Sequence, residues 1–394
     1  MNSDPQKNPY VAIACGGTGG HLFPGLAVAE QLKQRGCDVA LLISPKEVDQ
    51  QGVQSARGME IFTLPAVGLQ NGNYFSFARS FVKSLFAARK IFRQRKPLAV
   101  LAMGGFTSAP PVFVAKDMGV KTFLHESNTI PGKANRFLAR FVTEAFVGFP
   151  EAAARLKARK VTVTGTPVRP QFQFGFRAPG LCRAALGLEA SRPTILVVGG
   201  SQGASGLNEM ILSALPLLAG RDWQWLHLTG PGDFEKVKAA YAARGIKAVV
   251  KPFLSEMDSA LGAATACVSR SGASSLAEIA AMRLPSLLVP YPAAADNHQL
   301  SNALAFEKAS AARLLEQKNS TPKIIVGLLC ELVEDSASRE AIKTMLAAQW
   351  HAPNAAEKIA ESILGVIPLG AAQKRFPVVS PMAGRGPTNL NAVA

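Results

Sequence analysis

The chain alternates short apolar runs, typical of buried parallel strands, with longer segments whose apolar residues recur at helical spacing. In the first half, strands are predicted at residues 10–15, 39–44, 61–64, 99–103, 122–124 and 145–147. In the second half, they are predicted near residues 194–198, 225–228, 248–251, 266–269 and 286–289. Because helical segments separate the strands, the pattern predicts an α/β fold with a doubly wound, Rossmann-like parallel sheet in each half.

The 394 residues are too many for one ordinary core, so at least two domains are expected. Residues 165–170 form the predicted hinge, Pro353 precedes a late helix, and the end of the chain has little to bury. We predict an N-terminal extension (1–9), a first domain (10–164), a second domain (165–350), a C-terminal helix packing back toward the first domain (351–368) and a disordered tail (369–394).

Each half begins with an apolar run followed by a glycine-rich turn: Gly16-Gly17-Thr18-Gly19-Gly20-His21 in the first and Gly199-Gly200-Ser201-Gln202-Gly203-Ala204 in the second. A strand that runs into glycines and then a helix leaves backbone N–H groups free at the positive helix end, where phosphates and sugar hydroxyls bind. One such turn is equally compatible with a tight connection whose glycines only pack. Two of them, with His21 closing the first, favour two domains facing a central ligand-binding cleft.

A sharper motif in the second half ends a strand and opens a helix: Ser269-Arg270-Ser271-Gly272-Ala273-Ser274-Ser275-Leu276-Ala277-Glu278. Ser275 and Glu278 have the spacing of a capping box, which occurs at many helix starts. The functional interpretation is that N–H groups around residues 273–275 cradle a pyrophosphate, while Glu278 accepts hydrogen bonds from ribose hydroxyls. Further on, Asp296-Asn297-His298-Gln299 either contact sugar hydroxyls or cap a helix.

The net charge of +16 is concentrated in part of the chain. No acidic residue occurs between Glu60 and Asp117, and a predicted amphipathic helix in this stretch carries Phe75, Arg79, Phe81, Lys83, Arg89 and Lys90. Such a helix packs on a core, contacts anionic lipid, or binds nucleic acid. No nucleic-acid-binding motif accompanies it, so we expect no nucleic-acid partner. We expect core packing for part of the helix and contact with an anionic membrane surface for the rest.

Cysteine usage and apolar runs exclude several classes of protein. Five scattered cysteines without CxxC spacing predict reduced thiols in a cytosolic protein, with neither a disulfide framework nor a zinc site. No transmembrane helix is predicted, because glycines and prolines interrupt the longest uncharged stretch, residues 97–115. The chain has no DxD motif, so we expect no metal at a pyrophosphate and no cofactor.

Five motifs occur in one order along the chain: the turn at 16–21, His125-Glu126-Ser127-Asn128, Gly165-Thr166-Pro167-Val168-Arg169, the turn at 199–204, and the stretch 270–278. Together they resemble the MurG family, the bacterial UDP-N-acetylglucosamine transferases that complete lipid II for peptidoglycan. The resemblance, over about residues 11–364, implies a GT-B fold and inverting transfer of GlcNAc from UDP-GlcNAc to the C4 hydroxyl of MurNAc in lipid I. It also implies peripheral attachment to the cytoplasmic face of the bacterial inner membrane, with other cell-wall synthesis and division proteins as partners.

The resemblance makes the first domain the acceptor- and membrane-facing one and the second the UDP-GlcNAc-binding one. In the first domain, the matching substrate-binding positions are Thr18, Gly19, Gly20 and Asn128. For the donor, they are Arg169, Ser201, Leu254, Ala273, Ser274, Ser275, Leu276, Ala277, Glu278 and Gln299. Three positions depart from the family pattern: Leu254 replaces an isoleucine that acts through its backbone, Phe106 a tyrosine of some members, and His298 the first of two glutamines that contact the donor sugar.

Attack of a sugar hydroxyl on an anomeric carbon needs a base for one proton and positive groups for the departing UDP. His21, whose side chain ordinarily titrates near neutrality, and Glu126 are both candidates for the catalytic base. Helix N-termini and Arg169 suit the diphosphate. A NAD-dependent oxidoreductase is disfavoured, because residues 41–46 lack the acid that holds the ribose. A non-catalytic basic protein would leave the motif at 271–278 without a role.

Overall fold

The computed structural model describes residues 8–66, 68, 74–172, 174–175, 177–200 and 203–367. The predicted N-terminal extension, apart from Asn8 and Pro9, lies outside the described residues. The predicted tail and the predicted donor-binding residue Ser201 also lie outside them.

The first domain is built on seven strands: β1 (Tyr10–Ala14), β2 (Asp38–Ile43), β3 (Glu60–Thr63), β4 (Ala99–Ala102), β5 (Lys121–Glu126), β6 (Glu144–Val147) and β7 (Val161–Val163). They form one parallel sheet in the order β3-β2-β1-β4-β5-β6-β7. Its helices are α1 (Gly19–Gln34), α2 (Glu47–Gly52), α3 (Tyr74–Gln94), α4 (Ala109–Asp117), α5 (Lys133–Leu138) and α6 (Pro150–Ala153). Strands β1, β4 and β6 are buried along their whole length, as expected when helices cover both faces of a parallel sheet.

The second domain repeats this plan with six strands: β8 (Thr194–Val198), β9 (Gln224–Leu228), β10 (Ala248–Lys251), β11 (Ala266–Ser269), β12 (Ser286–Leu288) and β13 (Arg313–Leu314). The parallel sheet has the order β10-β9-β8-β11-β12-β13. Its helices are α7 (Pro179–Ala185), α8 (Ser205–Leu218), α9 (Phe234–Ala242), α10 (Met257–Ala263), α11 (Ala273–Ala281), α12 (His298–Lys308), α13 (Pro322–Glu334) and α14 (Ser336–Met345).

The predicted α/β class, with two doubly wound parallel sheets, is confirmed. Each sheet has one further strand that the apolar runs did not indicate, β7 in the first and β13 in the second. Both are edge strands, of three and two residues, and neither is fully buried. A strand that short has no room for a run of buried apolar residues, so its pattern resembles that of a loop.

A last helix, α15 (Ala355–Val366), leaves the second domain and packs on α1 of the first. Its Ile359 and Ile363 join the apolar core of the first domain. The chain therefore crosses between the domains twice, near residues 165 and 352. At this double crossing Gly165 has a φ of +81°, and a Cβ atom there would lie 2.3 Å from the Cβ atom of Ala352. Only glycine allows the two crossings to approach so closely.

The strand order reverses direction between β1 and β4 in the first sheet and between β8 and β11 in the second. In doubly wound sheets, ligands bind outside the carboxyl ends of the strands at such a switch point. The turns that follow β1, β8 and β11 lie at these ends, and α1 contacts α11. The two switch points therefore border one cleft between the domains.

Across the described ranges, no helix has both the length and the apolarity needed to cross a bilayer. The five cysteines are all free thiols, and four of them are buried. Burial raises the pKa of the Cys15 and Cys267 thiols, so these residues are uncharged parts of the core.

Candidate functional site

The first glycine turn is packed against the end of β2. A Cβ atom on Gly16 would lie 2.3 Å from the Ser44 backbone nitrogen, and Gly17 has a φ of +115°, so both positions need glycine. The Thr107 hydroxyl donates to the Gly16 carbonyl at 2.6 Å. Thr18 is the N-cap of α1. These contacts hold the start of α1 at the edge of the cleft.

A fully buried carboxylate, that of Asp49, lies beside this turn. Its Oδ2 accepts hydrogen bonds from the Gly17 N–H at 2.6 Å and the Ser44 N–H at 3.0 Å, and also from the Ser44 hydroxyl. An anion bound to N–H groups occupies them and repels a second anion. The first glycine turn therefore has its Gly17 N–H group already in use and a negative charge next to it.

His21 lies in the first turn of α1, with contacts that orient its ring. Its Nδ1 is 3.0 Å from the Thr18 hydroxyl oxygen, and a Cβ atom on Gly104 would lie 3.0 Å from its Nε2. Burial lowers the pKa of His21, and the Glu126 carboxylate opposes this shift. The imidazole is therefore neutral at pH 7. When its Nδ1–H donates to Thr18, the lone pair is on Nε2.

Glu126 ends β5, and each of its carboxylate oxygens accepts two N–H donors. Oε1 accepts from the backbone and side-chain nitrogens of Asn128 at 2.8 and 3.1 Å. Oε2 accepts from the Gly132 N–H at 2.9 Å and from Asn135 Nδ2 at 2.8 Å. The residue is only 3% exposed. Through these four hydrogen bonds, Glu126 fixes the conformation of the loop between β5 and α5.

Helix α11 begins directly after Gly272, and its first turn carries no acidic residue. No side chain in the described part of the chain caps it, and Ser275 lies inside the first turn. The capping-box interpretation is therefore wrong. A Cβ atom on Gly272 would meet no described atom within 4 Å. The first N–H groups of a helix have no partner within the helix, so this end is a positively polarised surface.

Glu278, one turn into α11, lies beside Arg169 of the hinge. The guanidinium is 3.8 Å from Glu278 Oε1 and lies over the rings of Phe23 and Phe172, 4.3 and 4.9 Å from their centroids. Burial raises the pKa of Glu278 to about 7, and Arg169 opposes the rise. Because Phe23 belongs to α1, Arg169 contacts both domains.

Gly203, in the described end of the second glycine turn, packs against the loop between β9 and α9. Gly203 has a φ of +76°, and a Cβ atom there would lie 2.4 Å from the Thr229 carbonyl oxygen. Asn208 of α8 donates to that carbonyl at 3.0 Å and to Asp233 Oδ2 at 2.7 Å. Hydrogen bonds from Ser205 and Asn208 lower the pKa of Asp233. An ionised acid therefore lies at the N-terminus of α8 as well.

The segment before α12 has an unusual backbone, with Asp296 and Asn297 both in the left-handed region. Asn297 is the N-cap of α12 but its side chain makes no capping hydrogen bond, so the helix-cap interpretation is wrong there. His298 Nδ1 donates to a backbone carbonyl three residues earlier, at 2.7 Å. Gln299 Oε1 accepts from the Tyr291 N–H at 3.0 Å. Both side chains are therefore oriented by the backbone around them.

Asn302, one turn further along α12, is a site residue that the motifs did not indicate. It is fully buried between the domains. Its Oδ1 accepts from the N–H and the hydroxyl of Thr129 at 3.0 and 2.9 Å. Its Nδ2 donates to Asn128 Oδ1 at 3.0 Å and to the Ser271 carbonyl at 3.1 Å. The one available signal was its position three residues after Gln299, on the same helix face.

Most of the predicted residues lie on elements that border the cleft. From the first domain these are Thr18, Gly19, Gly20, His21, Glu126 and Asn128; from the hinge and second domain they are Arg169, Ala273, Ser274, Ser275, Leu276, Ala277, Glu278 and Gln299. Leu254 instead has its side chain in the apolar core of the second domain. Phe106 covers the first turn, 3.1 Å from where a Gly17 Cβ atom would lie. Among the described residues, no group of three His, Cys, Asp or Glu side chains could hold a metal ion.

Helix α3 has an exposed face that is both aromatic and cationic. It packs on the domain through Ser80, Ser84, Ala88 and Phe92. Its exposed large apolar residues are Tyr74, Phe75, Val82 and Phe86, and Phe75 is 82% exposed. Of the predicted membrane-contact residues, Phe81 instead packs against Phe113 of α4, and Arg89 pairs with Asp117 at 2.7 Å. Val82 and Phe86 were missed.

Comparisons with known proteins match the whole two-domain unit. The N-terminal domain of glycosyltransferase family 28 matches residues 11–147 and its C-terminal domain residues 194–363. A Listeria monocytogenes (serovar 1/2a) protein named UDP-N-acetylglucosamine--N-acetylmuramyl-(pentapeptide) pyrophosphoryl-undecaprenol N-acetylglucosamine transferase is 33% identical, covering 91% of this chain and 99% of that protein. A protein of the same name from Anaeromyxobacter sp. (strain Fw109-5) is 36% identical, covering 89% and 91%. The crystal structure of Acinetobacter baumannii MurG has a TM-score of 0.70 at 28% identity, covering 91% and 99%.

Proposed function

The chain belongs to glycosyltransferase family 28, and we propose that it transfers N-acetylglucosamine from UDP-N-acetylglucosamine to N-acetylmuramyl-(pentapeptide) pyrophosphoryl-undecaprenol, converting lipid I into lipid II. It is a UDP-sugar-dependent glycosyltransferase with the two-domain GT-B fold. In this reaction the C4 hydroxyl of MurNAc attacks the anomeric carbon of the donor from the face opposite UDP, and UDP leaves. The protein must therefore take one proton and stabilise the charge on the departing diphosphate.

The observation that carries the proposal is the difference between three helix N-termini at the cleft. Asp49 binds the turn before α1, and Asp233 lies at the start of α8. The first turn of α11 carries no acid, and space is open beside Gly272. A diphosphate is stabilised where N–H groups are free and no carboxylate competes. The diphosphate of the donor therefore binds at α11, through residues 273–275.

Glu278 and Arg169 complete the donor site. Glu278 accepts hydrogen bonds from the ribose hydroxyls, one helical turn from the diphosphate. Arg169, 3.8 Å from that carboxylate in the structure, supplies a positive charge to the departing UDP. The backbone at Leu254 binds the uracil, and Gln299 binds the donor sugar. These roles keep the negative charge of the leaving group on the second-domain side of the cleft.

His21 is the base that the geometry favours. Thr18 accepts from Nδ1–H, which fixes the ring and leaves the Nε2 lone pair for the acceptor hydroxyl. Burial lowers its pKa, so the ring is unprotonated and ready to accept a proton at pH 7. Glu126 is the weaker candidate, because its oxygens already accept four N–H donors that shape the loop.

The exposed face of α3 is the attachment surface for the cytoplasmic side of the membrane. Phe75, Val82 and Phe86 enter the headgroup region, while Arg79, Lys83 and Lys90 meet anionic lipid. Contact through the first domain brings the acceptor-binding side of the cleft near the bilayer that holds the undecaprenyl chain. Arg89 contributes less to this surface, since Asp117 offsets its charge.

The test is transfer by the purified chain from UDP-GlcNAc to a lipid I analogue with a shortened prenyl chain. We expect UDP release that depends on the acceptor, together with the disaccharide product. UDP-glucose and UDP-GalNAc serve as donor controls and should react more slowly. UDP release without acceptor, or epimerised UDP-sugar in place of disaccharide, would contradict the proposal.

A further inference from the structure

An uninterrupted run of hydrogen bonds joins the two sides of the cleft through Asn302. The Ser271 carbonyl accepts from Asn302 Nδ2 at 3.1 Å, and the same nitrogen donates to Asn128 Oδ1 at 3.0 Å. Asn128 Nδ2 donates to Glu126 Oε1 at 3.1 Å, and Glu126 Oε2 accepts from Asn135 Nδ2 at 2.8 Å. The run begins in the second domain and ends in the first.

Each amide in this run has one possible orientation. The Ser271 carbonyl can only accept, so it faces the Asn302 nitrogen, and the Thr129 backbone N–H can only donate, so it faces the Asn302 oxygen. Glu126, whose oxygens accept four N–H donors, sets the orientation of Asn128 in the same way. Asn302 is also fully buried, so losing any of these partners leaves a polar group without water.

The two ends of the run border the two halves of the reaction. Ser271 directly precedes Gly272, the N-cap of the helix to which the diphosphate is assigned. At the other end, a Cβ atom on Gly104 would lie 3.0 Å from His21 Nε2 and 3.1 Å from Asn135 Nδ2. The His21 imidazole and the Asn135 side-chain amide therefore both lie next to Gly104. The run of hydrogen bonds thus extends from the loop that precedes α11 to the surroundings of His21, the proposed base.

We propose that Asn302 is a positioning residue that fixes two loops relative to each other for transfer. They are the donor loop, residues 270–272 between β11 and α11, and the acceptor loop, residues 127–132 between β5 and α5. This inference rests on the proposed function. Asn302 touches neither reacting centre; it acts through Ser271 on one side and through Thr129 and Asn128 on the other. A displacement of about 1 Å between reactants can cost a hundredfold in rate, so a residue that sets the register affects turnover more than binding.

The test compares Asn302→Asp and Asn302→Ala with the wild type, measuring kcat, the KM for each substrate and the Kd of UDP. The aspartate has nearly the same shape and still accepts from Thr129, but it turns a carboxylate oxygen toward the Ser271 carbonyl and Asn128 Oδ1. We expect kcat to fall about 10- to 100-fold in both variants. The Kd of UDP should stay within about threefold, because the donor contacts lie in the second domain and hinge.

Arg136→Gln is the matched control. Arg136 also contacts the opposite domain, through Asp296 at 3.0 Å, but the pair is about two-fifths exposed. An exposed pair is worth little, so kcat should stay within about twofold of wild type. Thr129→Val removes one donor to Asn302 Oδ1, and combining it with Asn302→Ala should lower kcat no further than Asn302→Ala alone.

Two results would overturn the inference: kcat within twofold of wild type in Asn302→Ala, or a UDP affinity that falls in parallel with kcat. If Asn302→Ala does not fold, the milder Thr129→Val carries the test, with a smaller loss of kcat at unchanged UDP affinity expected. Failure of the proposed function is distinguishable, because the wild type itself would then not form the disaccharide.

Discussion

The two domains repeat one strand order, yet they present different chemistry to the cleft between them. The first offers a neutral imidazole, His21, above a turn whose Gly17 N–H is already bound by the buried Asp49. The second offers the acid-free N-terminus of α11 with Arg169 nearby. The same backbone plan therefore supports a proton-accepting side and an anion-binding side.

The glycine turn determines where a ligand can approach, and the nearby charges determine which ligand binds there. A base is weakened by positive surroundings, whereas a diphosphate needs them. Placing the two tasks on separate domains lets each environment be set independently. Both turns that follow the first strand of a sheet have an acid beside them, and the helix assigned to the diphosphate follows a later strand, β11.

His21→Ala should give the largest effect on the first-domain side. We expect kcat to fall about 10²- to 10⁴-fold, because a general base contributes that much, while the Kd of UDP stays near wild type. Turnover with the lipid I analogue and calorimetric UDP binding measure the two sides separately. Near-normal turnover would mean that Glu126 or solvent, and not His21, accepts the proton of the acceptor hydroxyl. A parallel loss of UDP binding would contradict the assignment of proton transfer to the first domain and UDP binding to the second.

Removing the positive charges from the exposed face of α3, in the first domain, should weaken membrane binding. Replacing Arg79, Lys83, Arg89 and Lys90 with glutamine removes about 1 kcal/mol of lipid attraction per cation and less at Arg89, which Asp117 offsets, so binding to phosphatidylglycerol vesicles should fall by about a hundred- to a thousandfold. UDP affinity should not change. The matched control replaces Arg155, Lys157, Arg159 and Lys160, four exposed cations elsewhere in the same domain. Equal loss of vesicle binding in both variants would show that α3 is no special attachment surface.

Gly272→Asp tests the second-domain side by giving α11 the acid that the other two helices have. The φ of −65° at Gly272 suits any residue, and the added side chain has open space. As an N-cap, aspartate should stabilise the helix by a few tenths of a kcal/mol. Its charge should weaken UDP binding at least about tenfold. Gly272→Ser, a neutral cap, is the control, and equal UDP binding by both variants would place the diphosphate elsewhere.

Much of this architecture was predictable, because apolar runs and glycine turns are local signals. The central strands of both sheets are short and buried along all or nearly all of their length, so each appears as an apolar run. What the pattern missed depends on distant contacts. Asp49 lies in the polar segment 45–51, which has the pattern of a solvated turn, and only the fold brings it under Gly17.

Helices α3 and α12 also have features that depend on distant contacts and that the sequence pattern therefore did not predict. On α3 the pattern placed Phe81 on the membrane-contact surface, but it packs against Phe113 of α4. The helix packs on the domain through Ser80, Ser84, Ala88 and Phe92 and leaves Phe86 exposed. Small residues permit close approach between a helix and its neighbours, which no hydrophobicity pattern indicates. Asn302 has no motif of its own, because its partners come from two loops that are distant in the chain, one after β5 and one after β11.

Glu278→Gln should give the smallest effect, and it tests whether ionisation of one carboxylate controls the second-domain side. With a pKa near 7, Glu278 is mostly protonated at pH 6, so the Kd of UDP-GlcNAc in the wild type should rise about tenfold from pH 8 to pH 6. Glu278→Gln should bind UDP-GlcNAc more weakly at pH 8 and lose this pH dependence, as calorimetry across the range would show.

The same carboxylate should make the stability of the wild type depend on pH. Because the pKa of Glu278 in the folded protein lies above the unfolded value of 4.5, the native state holds the proton more tightly, and the free energy of unfolding falls as the pH rises from about 4.5 through 7. The variant should therefore be more stable than wild type at pH 8, by up to about 3 kcal/mol, and equal to it near pH 4.5. A pH-independent Kd in the wild type, or a variant no more stable at pH 8, would mean that Glu278 is ionised throughout this range and does not set the pH response of the donor site.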